Sequence, residues 1–300
     1  MPVLYMPIGV PGSGKSTYYK NNFNEDETVL ISSDAIRKEV FGNENDQEHN
    51  SEVFEIMRER TIEALKNSKD VYYDATNISS KRRIALFNCS KDIRNAEKVA
   101  IVFCTPLEVA IERNNNRERK VPENVIVSMA KRFDVPHMNE GYSDIILYRE
   151  DSFLRIDLLK KVMDAENLSH DNPHHRLTVG KHMEEAYKYA CCSRFPSEVC
   201  FAALYHDVAK PLVKDFHNIK GEATEEAHYY GHDKLSAYMY LSYCKRGNET
   251  ENHLLEVANL ISNHMIFFNK DINLKKFEMK YGSEFLKKLE LLHDCDTYAH

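Results

Sequence analysis

The sequence predicts two units of different class. Residues 1–150 read as α/β, a parallel sheet with helices on both faces; residues 169–300 read as all-α, and 151–168 as a helical connector. Three observations lead there. Short apolar runs alternate with helical segments through the first half, the pattern of βαβ units. Gly9-Val10-Pro11-Gly12-Ser13-Gly14-Lys15-Ser16-Thr17 stands between the first such run, Val3-Leu4-Tyr5-Met6, and the first helix. After residue 169 the strand signal stops, and twelve of the fourteen histidines follow.

At 300 residues the chain exceeds the usual size of one domain, and 42% hydrophobic content can fill two cores. No apolar run is long enough to span a membrane, and the N-terminus lacks the basic-then-apolar pattern of a leader. A net charge of −7 excludes a surface built as a whole for nucleic acid and leaves local patches for a terminus or a short strand. Seven cysteines without a C-x-x-C pair predict a reducing, cytoplasmic setting, with adjacent Cys191-Cys192 divided between helix surface and core.

The glycine-rich stretch fits G-x-x-x-x-G-K-[ST] in the strand-to-helix context that this pattern needs. Glycine lets the backbone bend tightly and approach an anion without a Cβ clash. The N–H groups from Gly9, Gly12, Ser13 and Gly14 through Thr17 then face the β- and γ-phosphates of a nucleoside triphosphate. Lys15 adds a point charge, and the Ser16 hydroxyl is placed for Mg²⁺.

Thr28–Ser32 reads as a second strand, which sets Asp34 at its carboxyl end, where open α/β sheets bind ligands. Asp34 is there either a helix N-cap or a ligand-side carboxylate, with Arg37 one turn further on the same face. Residues 46–66 read as one long solvent-facing helix. A third strand, Val71 to Asn77, carries Asp74, suited to a metal through water or to an acceptor hydroxyl, unless it only closes a turn. Lys81-Arg82-Arg83 opens the next helix where an anionic acceptor would pass. Val99–Phe103 is a fourth strand, followed by Thr105-Pro106 as cap and first-turn proline. The helix after it carries Arg113 and Arg117, four apart and so on one face, and Ile145–Leu147 is the last strand.

Taken together, G-V-P-G-S-G-K-S-T, S-D-A-I-R, D-A-T-N followed by Arg82-Arg83, and R-N-N-N-R-x-R-x-V-P resemble the kinase module of 5′-OH polynucleotide kinases, in the same order over roughly the first half. The resemblance implies a P-loop kinase fold with ATP or another NTP as donor. It makes Asp34 the general base on the acceptor hydroxyl and Arg37 the ligand of the acceptor phosphate. Arg113 and Arg117 become lid arginines over the donor phosphates, a role worth about a thousandfold or more in rate. P-loop kinases of small molecules share much of this pattern, so the acceptor stays open between a polynucleotide end and a small molecule.

In the second half, His206-Asp207 lies inside the apolar run Phe201-Ala-Ala-Leu-Tyr-His-Asp-Val-Ala. A carboxylate buried there without a partner is costly, and a bound cation removes the cost. Histidines gathered in one half point to site chemistry or a metal. With H…HD…H…H…D in order, this half resembles the HD metal-dependent phosphohydrolase superfamily. Asn172-Pro173-His174-His175 ahead of His182, and H-D-V-A-K-P, also resemble the HD domains of bacterial tRNA nucleotidyltransferases. The resemblance implies one metal on His182, His206, Asp207 and Asp296, a second site completed by His232 and His264, and Lys210 and Lys234 as phosphate ligands. Asp294 also fits the last position; the spacing L-H-x-x-D-x-x-A-H favours Asp296. Imidazole with carboxylate suits Mn²⁺, Fe²⁺, Co²⁺, Ni²⁺ or Zn²⁺, with Mg²⁺ possible.

The whole chain resembles bifunctional HD–polynucleotide kinase enzymes of RNA repair. That resemblance implies 5′-OH phosphorylation in the first half and removal of 2′,3′-cyclic, 2′- or 3′-phosphates in the second. RNA termini, with DNA termini possible, are then the substrate, and a ligase is the natural functional partner. The alternative is a kinase of a nucleoside or other small molecule joined to an HD nucleotidase.

Overall fold

A computed structural model describes residues 1–150, 157–173, 176–243, 250–269 and 272–300. His174 and His175 of the second-half motif, and connector residues 151–156, lie outside the described residues. The chain divides into two compact units, Met1–Val127 with Pro136–Glu150, and Ser128–Val135 with Asp151–His300. Among the described residues no helix is long and apolar enough to cross a membrane.

The first unit runs β1 (Val3–Ile8), α1 (Lys15–Asn22), β2 (Thr28–Ser32), α2 (Ser33–Phe41), α3 (Asn50–Lys66), β3 (Asp70–Asp74), α4 (Ser80–Asn88), α5 (Lys91–Asn95), β4 (Glu97–Phe103), α6 (Leu107–Asn115), the start of α7 (Glu123–Ala130), whose residues from Ser128 on fall in the second unit, and β5 (Asp144–Tyr148). The five strands pair in parallel in the order β2-β3-β1-β4-β5. All carboxyl ends therefore lie along one edge, and β1 stands at the switch point, where such sheets hold their ligands. Leu4, Met6 and Ile8 of β1 are buried. Tyr19, Tyr72, Ile101 and Phe103 form a core under α1. The buried phenols are satisfied: Tyr19 donates to the Thr28 carbonyl (2.7 Å) and Tyr72 to that of Lys15 (2.9 Å).

Three sequence expectations change here. The helix read as solvent-facing over 46–66 is α3, and it buries Val53, Met57, Thr61, Ala64 and Leu65. Its apolar positions recur at helical spacing and were masked by the charged residues between them. The third strand stops at Asp74, and Asn77 turns out of it at φ 50°. Pro106, not Thr105, is the N-cap of α6; the Thr105 hydroxyl instead donates to the Ser13 carbonyl of the phosphate loop (3.0 Å).

Arg83 also leaves the role expected for it. It is 1% exposed and makes a bidentate pair with Glu140, Nε to Oε2 at 2.8 Å and Nη2 to Oε1 at 2.7 Å, with Nη1 donating to the Asn77 carbonyl. An arginine answered this fully belongs to the core, while Arg82 lies over the Phe54 ring.

The second unit contains α8 (Leu158–Asp164), α9 (Val179–Cys192), α10 (Ser197–Tyr205), α11 (Lys210–Val213), the antiparallel hairpin β6 (Asp215–His217) and β7 (Ala223–His228), α12 (His232–Tyr243), α13 (Glu251–Asn263), α14 (Leu274–Tyr281) and α15 (Ser283–Tyr298). Helix α8, expected as a connector, buries Leu158 and Val162 in this unit. On α9, Val179, His182, Met183, Ala186 and Ala190 form the buried stripe, so His182 points inward by helical periodicity. Cys191 and Cys192 are both exposed.

Glu140→Ala would leave the Arg83 charge buried and unanswered, at a cost of about 3–5 kcal/mol in urea denaturation. The double change Arg83→Met with Glu140→Leu should recover most of that loss.

Candidate functional sites

The phosphate loop leaves β1 at Ile8 and reaches α1 at Lys15. Gly12 sits at φ 82°, and a Cβ there would stand 2.1 Å from the Ala110 carbonyl oxygen, so only glycine lets the loop pass α6. Gly14 is the left-handed N-cap of α1 with no side-chain cap bond, which leaves the first-turn N–H groups facing outward. Lys15 Nζ donates to the carbonyls of Gly9 (3.0 Å) and Val10 (2.9 Å) and to Ser13 Oγ (3.4 Å). Burial lowers its pKa to about 8, with Asp74 opposing the shift.

Ser16 Oγ donates to Asp74 Oδ2 at 2.9 Å, bringing hydroxyl and carboxylate together from α1 and the end of β3. Burial raises the Asp74 pKa against the pull of Lys15 and the Ser16 bond. Two oxygen donors at a phosphate loop fit Mg²⁺, so these residues suit that ion. Thr17 is exposed on the first turn of α1.

The N-cap reading of Asp34 does not hold, because Ser32 takes that place, accepting from the Ala35 N–H (3.4 Å). The Asp34 carboxylate is instead held by two arginines. Arg37 Nη1 lies 3.1 Å from Oδ1, and Arg119 pairs with Oδ2. Arg119 was not singled out in the sequence, although it is the second arginine of R-x-R.

Arg113 and Arg117 do not share a helix face. Helix α6 stops at Asn115, and the Asn114 side chain bonds both the N–H and the carbonyl of Val121, turning 116–121 into a loop. Three successive asparagines favour that ending. Arg113 forms a bidentate pair with Glu150 (2.8 and 2.7 Å). A Cβ at Gly14 would stand 3.6 Å from Glu150 Oε1 and 3.7 Å from Arg113 Nη1, so this pair borders the phosphate loop. Arg117 is exposed, and its charge is felt at Lys15 and Asp74.

In the second unit four imidazoles converge on one carboxylate. Each is oriented by a bond from Nδ1 to a backbone carbonyl: His182 to Ala299 (3.2 Å), His206 to Ala203 (2.9 Å), His232 to Tyr229 (2.7 Å) and His264 to Ile261 (2.7 Å). A carbonyl only accepts, so the proton sits on Nδ1 and the Nε2 lone pair faces inward. Nε2 of His182 and His206 are 3.1 Å apart, as are those of His232 and His264. Asp207 lies between the two pairs. Its Oδ2 is 3.4 Å from His206 and 3.6 Å from His182, and its Oδ1 is 3.3 Å from His232 and 3.7 Å from His264. Asp296 Oδ1 is 3.0 Å from His182 and 3.6 Å from His206; Asp294 is exposed.

Facing lone pairs at 3.1 Å repel unless positive charge stands between or beside them. Burial alone would lower the His206 pKa, yet Asp207 and Asp296 push it up to about 10, so the cluster draws in a cation even as a proton. His182, His206 and Asp207 form one possible ligand group, Asp207, His232 and His264 another, sharing the carboxylate.

Residues 4–136 match the AAA domain family, and residues 174–299 match the HD domain family. The chain joins an AAA-type P-loop kinase domain to an HD domain. Of curated proteins, the L-seryl-tRNA(Sec) kinase of Methanococcus maripaludis is 29% identical over 144 residues, 45% of this chain and 53% of that kinase. The chain therefore spans about half the length of this relative. Among solved structures, a Pnkp1/Rnl/Hen1 RNA repair complex is 26% identical over 43% of this chain and 42% of its own, with a TM-score of 0.37. A fungal RNA kinase is 18% identical over 49% of this chain and 38% of its own, with a TM-score of 0.38.

The donor set of the HD domain fits divalent transition ions, with the carbonyl-bound Nδ1 atoms as the supports that metal-binding imidazoles need. Lys210, 5% exposed, sits 2.6 Å from Asp207 Oδ2 and over the Tyr229 ring. Lys234 does not reach this cluster; it donates to Ser262 and pairs with Asp134 (3.2 Å). Two histidines of the second unit were given no role in the sequence. His300 lies 3.3 Å from Asp296, and the i, i+4 spacing carried that signal. Buried His170 lies edge-on to His182 with no periodicity to mark it.

Asp207→Ala, which removes the carboxylate common to both ligand groups, should lower bound divalent metal more than His232→Ala, by elemental analysis of the purified protein. In the AAA domain, the unfolded chain holds a proton on Lys15 up to its ordinary pKa of 10.5, whereas the folded chain releases it near 8. The cost of burying that charge is complete below pH 8 and relieved as pH rises to 10.5. Stability should therefore rise across that window in the native protein relative to Lys15→Met, measured by urea denaturation at stepped pH.

Proposed function

We propose that the protein heals the two ends left by RNA cleavage: the kinase domain phosphorylates a 5′-OH terminus, and the HD domain removes a 2′,3′-cyclic, 2′- or 3′-phosphate. The observation that carries this reading is Asp34, a carboxylate held between two arginines at the ligand edge of a phosphate-loop sheet. The metal-donor cluster in the same chain gives it a second phosphorus chemistry.

In the kinase step the acceptor 5′-oxygen forms a bond to the γ-phosphorus of ATP or another NTP, and its proton passes to Asp34. The bond from the γ-phosphorus to the bridging oxygen breaks, and the nucleoside diphosphate leaves. The loop amides from Gly9 to Thr17 and Lys15 would hold the donor phosphates, and Ser16 and Asp74 would hold Mg²⁺. Arg113 and Arg117 offset the charge on the transferred group, and Arg37 takes the acceptor phosphate.

In the HD domain His182, His206, Asp207 and Asp296 would hold one divalent ion, and His232 and His264 with Asp207 a second, the metal being Mn²⁺, Co²⁺, Ni²⁺, Fe²⁺ or Zn²⁺. Ions bound there supply an acidic water and a clamp on phosphate oxygens. Lys210 lends positive charge beside Asp207 for the phosphate. A ligase would consume the resulting 5′-phosphate and free 3′ end.

The relation to an L-seryl-tRNA(Sec) kinase favours a second reading, in which the acceptor hydroxyl belongs to a small group and the HD domain is a nucleotidase. Radiolabelled ATP with Mg²⁺ and a 5′-OH oligoribonucleotide separates the two. Label should enter the oligonucleotide, and Asp34→Asn should cut transfer by at least about a hundredfold while sparing HD hydrolysis. Asp207→Ala should do the reverse on a 2′,3′-cyclic phosphate end. Label in nucleosides or other small hydroxyl compounds alone would replace the first reading with the second.

A further inference from the structure

The two ligand groups of the HD domain are unequal. Asp207 Oδ1, His232 and His264 make up one. Around the other stand His182, His206 and Asp207 Oδ2, with Asp296 Oδ1 3.0 Å from His182 and 3.6 Å from His206. A third imidazole reaches that same carboxylate atom: His300 Nε2 lies 3.3 Å from Asp296 Oδ1. Ligand atoms of His182, Asp296 and His300 all lie within 4.8 Å of one another, and the His182 and His300 rings are 5.3 Å apart. Donors bound about 2.1 Å from one ion stand about 3 Å apart when adjacent and about 4 Å apart when opposite, so these separations suit a shared ion.

His300 is held there by its own turn. It follows Asp296 by four positions and therefore shares its side of the helix end. Ala299 is buried, and its carbonyl accepts the Nδ1–H of His182 (3.2 Å), so the residue that orients one ligand carries the next. The Tyr298 ring stacks on Tyr189 of α9 at 4.2 Å, which fastens this turn to the helix that bears His182. The His300 side chain is 28% exposed, against 0% for His182 and 6% for Asp296, which puts it at the mouth of the cluster.

We propose that His300 is a fifth protein donor to the ion on His182, His206, Asp207 and Asp296, and that it gives this site a preference for six-coordinate Mn²⁺, Fe²⁺, Co²⁺ or Ni²⁺ over tetrahedral Zn²⁺. The assignment rests on the metal reading above and narrows its ion. Four protein donors fill a tetrahedral ion, whereas five leave an octahedral ion one place for water. On binding, the ion takes the place of the proton between His300 and Asp296. The site on His232 and His264 keeps three donors and more open places, so the two ions differ in affinity.

Titration of the metal-stripped full chain with Co²⁺, followed by calorimetry and visible absorption, reads the coordination directly. The native chain should bind a tighter and a weaker class of ion, the tighter with the weak absorption of a five- or six-coordinate centre. His300→Ala and His300→Gln should each weaken the tighter class by about 10- to 100-fold and raise its absorption toward that of a four-coordinate centre, with Zn²⁺ affinity changed less. Glutamine can still donate to Asp296 but offers no imidazole. Native Co²⁺ binding and absorption in His300→Gln, or in both variants, would therefore reduce His300 to a hydrogen-bond partner of Asp296 and overturn the assignment while the metal reading stands. Co²⁺ binding that Asp207→Ala leaves unchanged would remove the metal reading, and the assignment with it.

Discussion

A charge taken out of water must be answered by groups brought in with it, and both units are arranged around that constraint. Lys15 is answered by loop carbonyls, Arg83 by Glu140 and a carbonyl, Asp207 by Lys210 and inward-facing imidazoles. The answers come mostly from the ends of secondary elements, where backbone groups lack helical partners. His206, His232 and His264 each turn Nδ1 to the carbonyl three residues earlier, so the local chain itself fixes the ring. An imidazole oriented this way has one nitrogen left, and four of them aimed at one carboxylate define the chemistry of the cluster.

The parallel sheet performs the same service in the AAA domain without burying a cluster. Parallel pairing puts the phosphate loop, Asp34, Asp74 and Glu150 at the ends of different strands along one edge. Ser16 meets Asp74, 58 positions away in sequence, because β3 lies beside β1. Such sites need no long-range coincidence beyond strand order, which is why their residues follow strand runs in the sequence.

The elements most legible beforehand were those with a strong local rule. The glycine-lysine-serine loop and the strands Thr28–Ser32 and Val99–Phe103 all follow from spacing and local apolar runs. Partner choice was not legible. Nothing local distinguishes Arg83, in a core pair, from Arg82 beside it, because Glu140 lies 57 positions away. Arg113 and Arg117 share a helical spacing, yet the helix ends between them because Asn114 bonds Val121. Charged residues hid the buried side of α3, and His170 enters the histidine cluster through tertiary packing alone.

The arginines of the first unit show how partner count separates structural from ligand-facing roles. Arg83 has a carboxylate of its own, two parallel bonds to it, and a carbonyl for a third nitrogen. Arg113 also has a whole carboxylate, from Glu150, but against the phosphate loop, where a nucleotide's phosphates would compete for the guanidinium. Arg37 and Arg119 divide one carboxylate and leave a buried N–H over. Compensation thus falls from complete, to complete but contested, to short by one anion. An incoming anion would therefore gain least at the first arginine and most at the last pair.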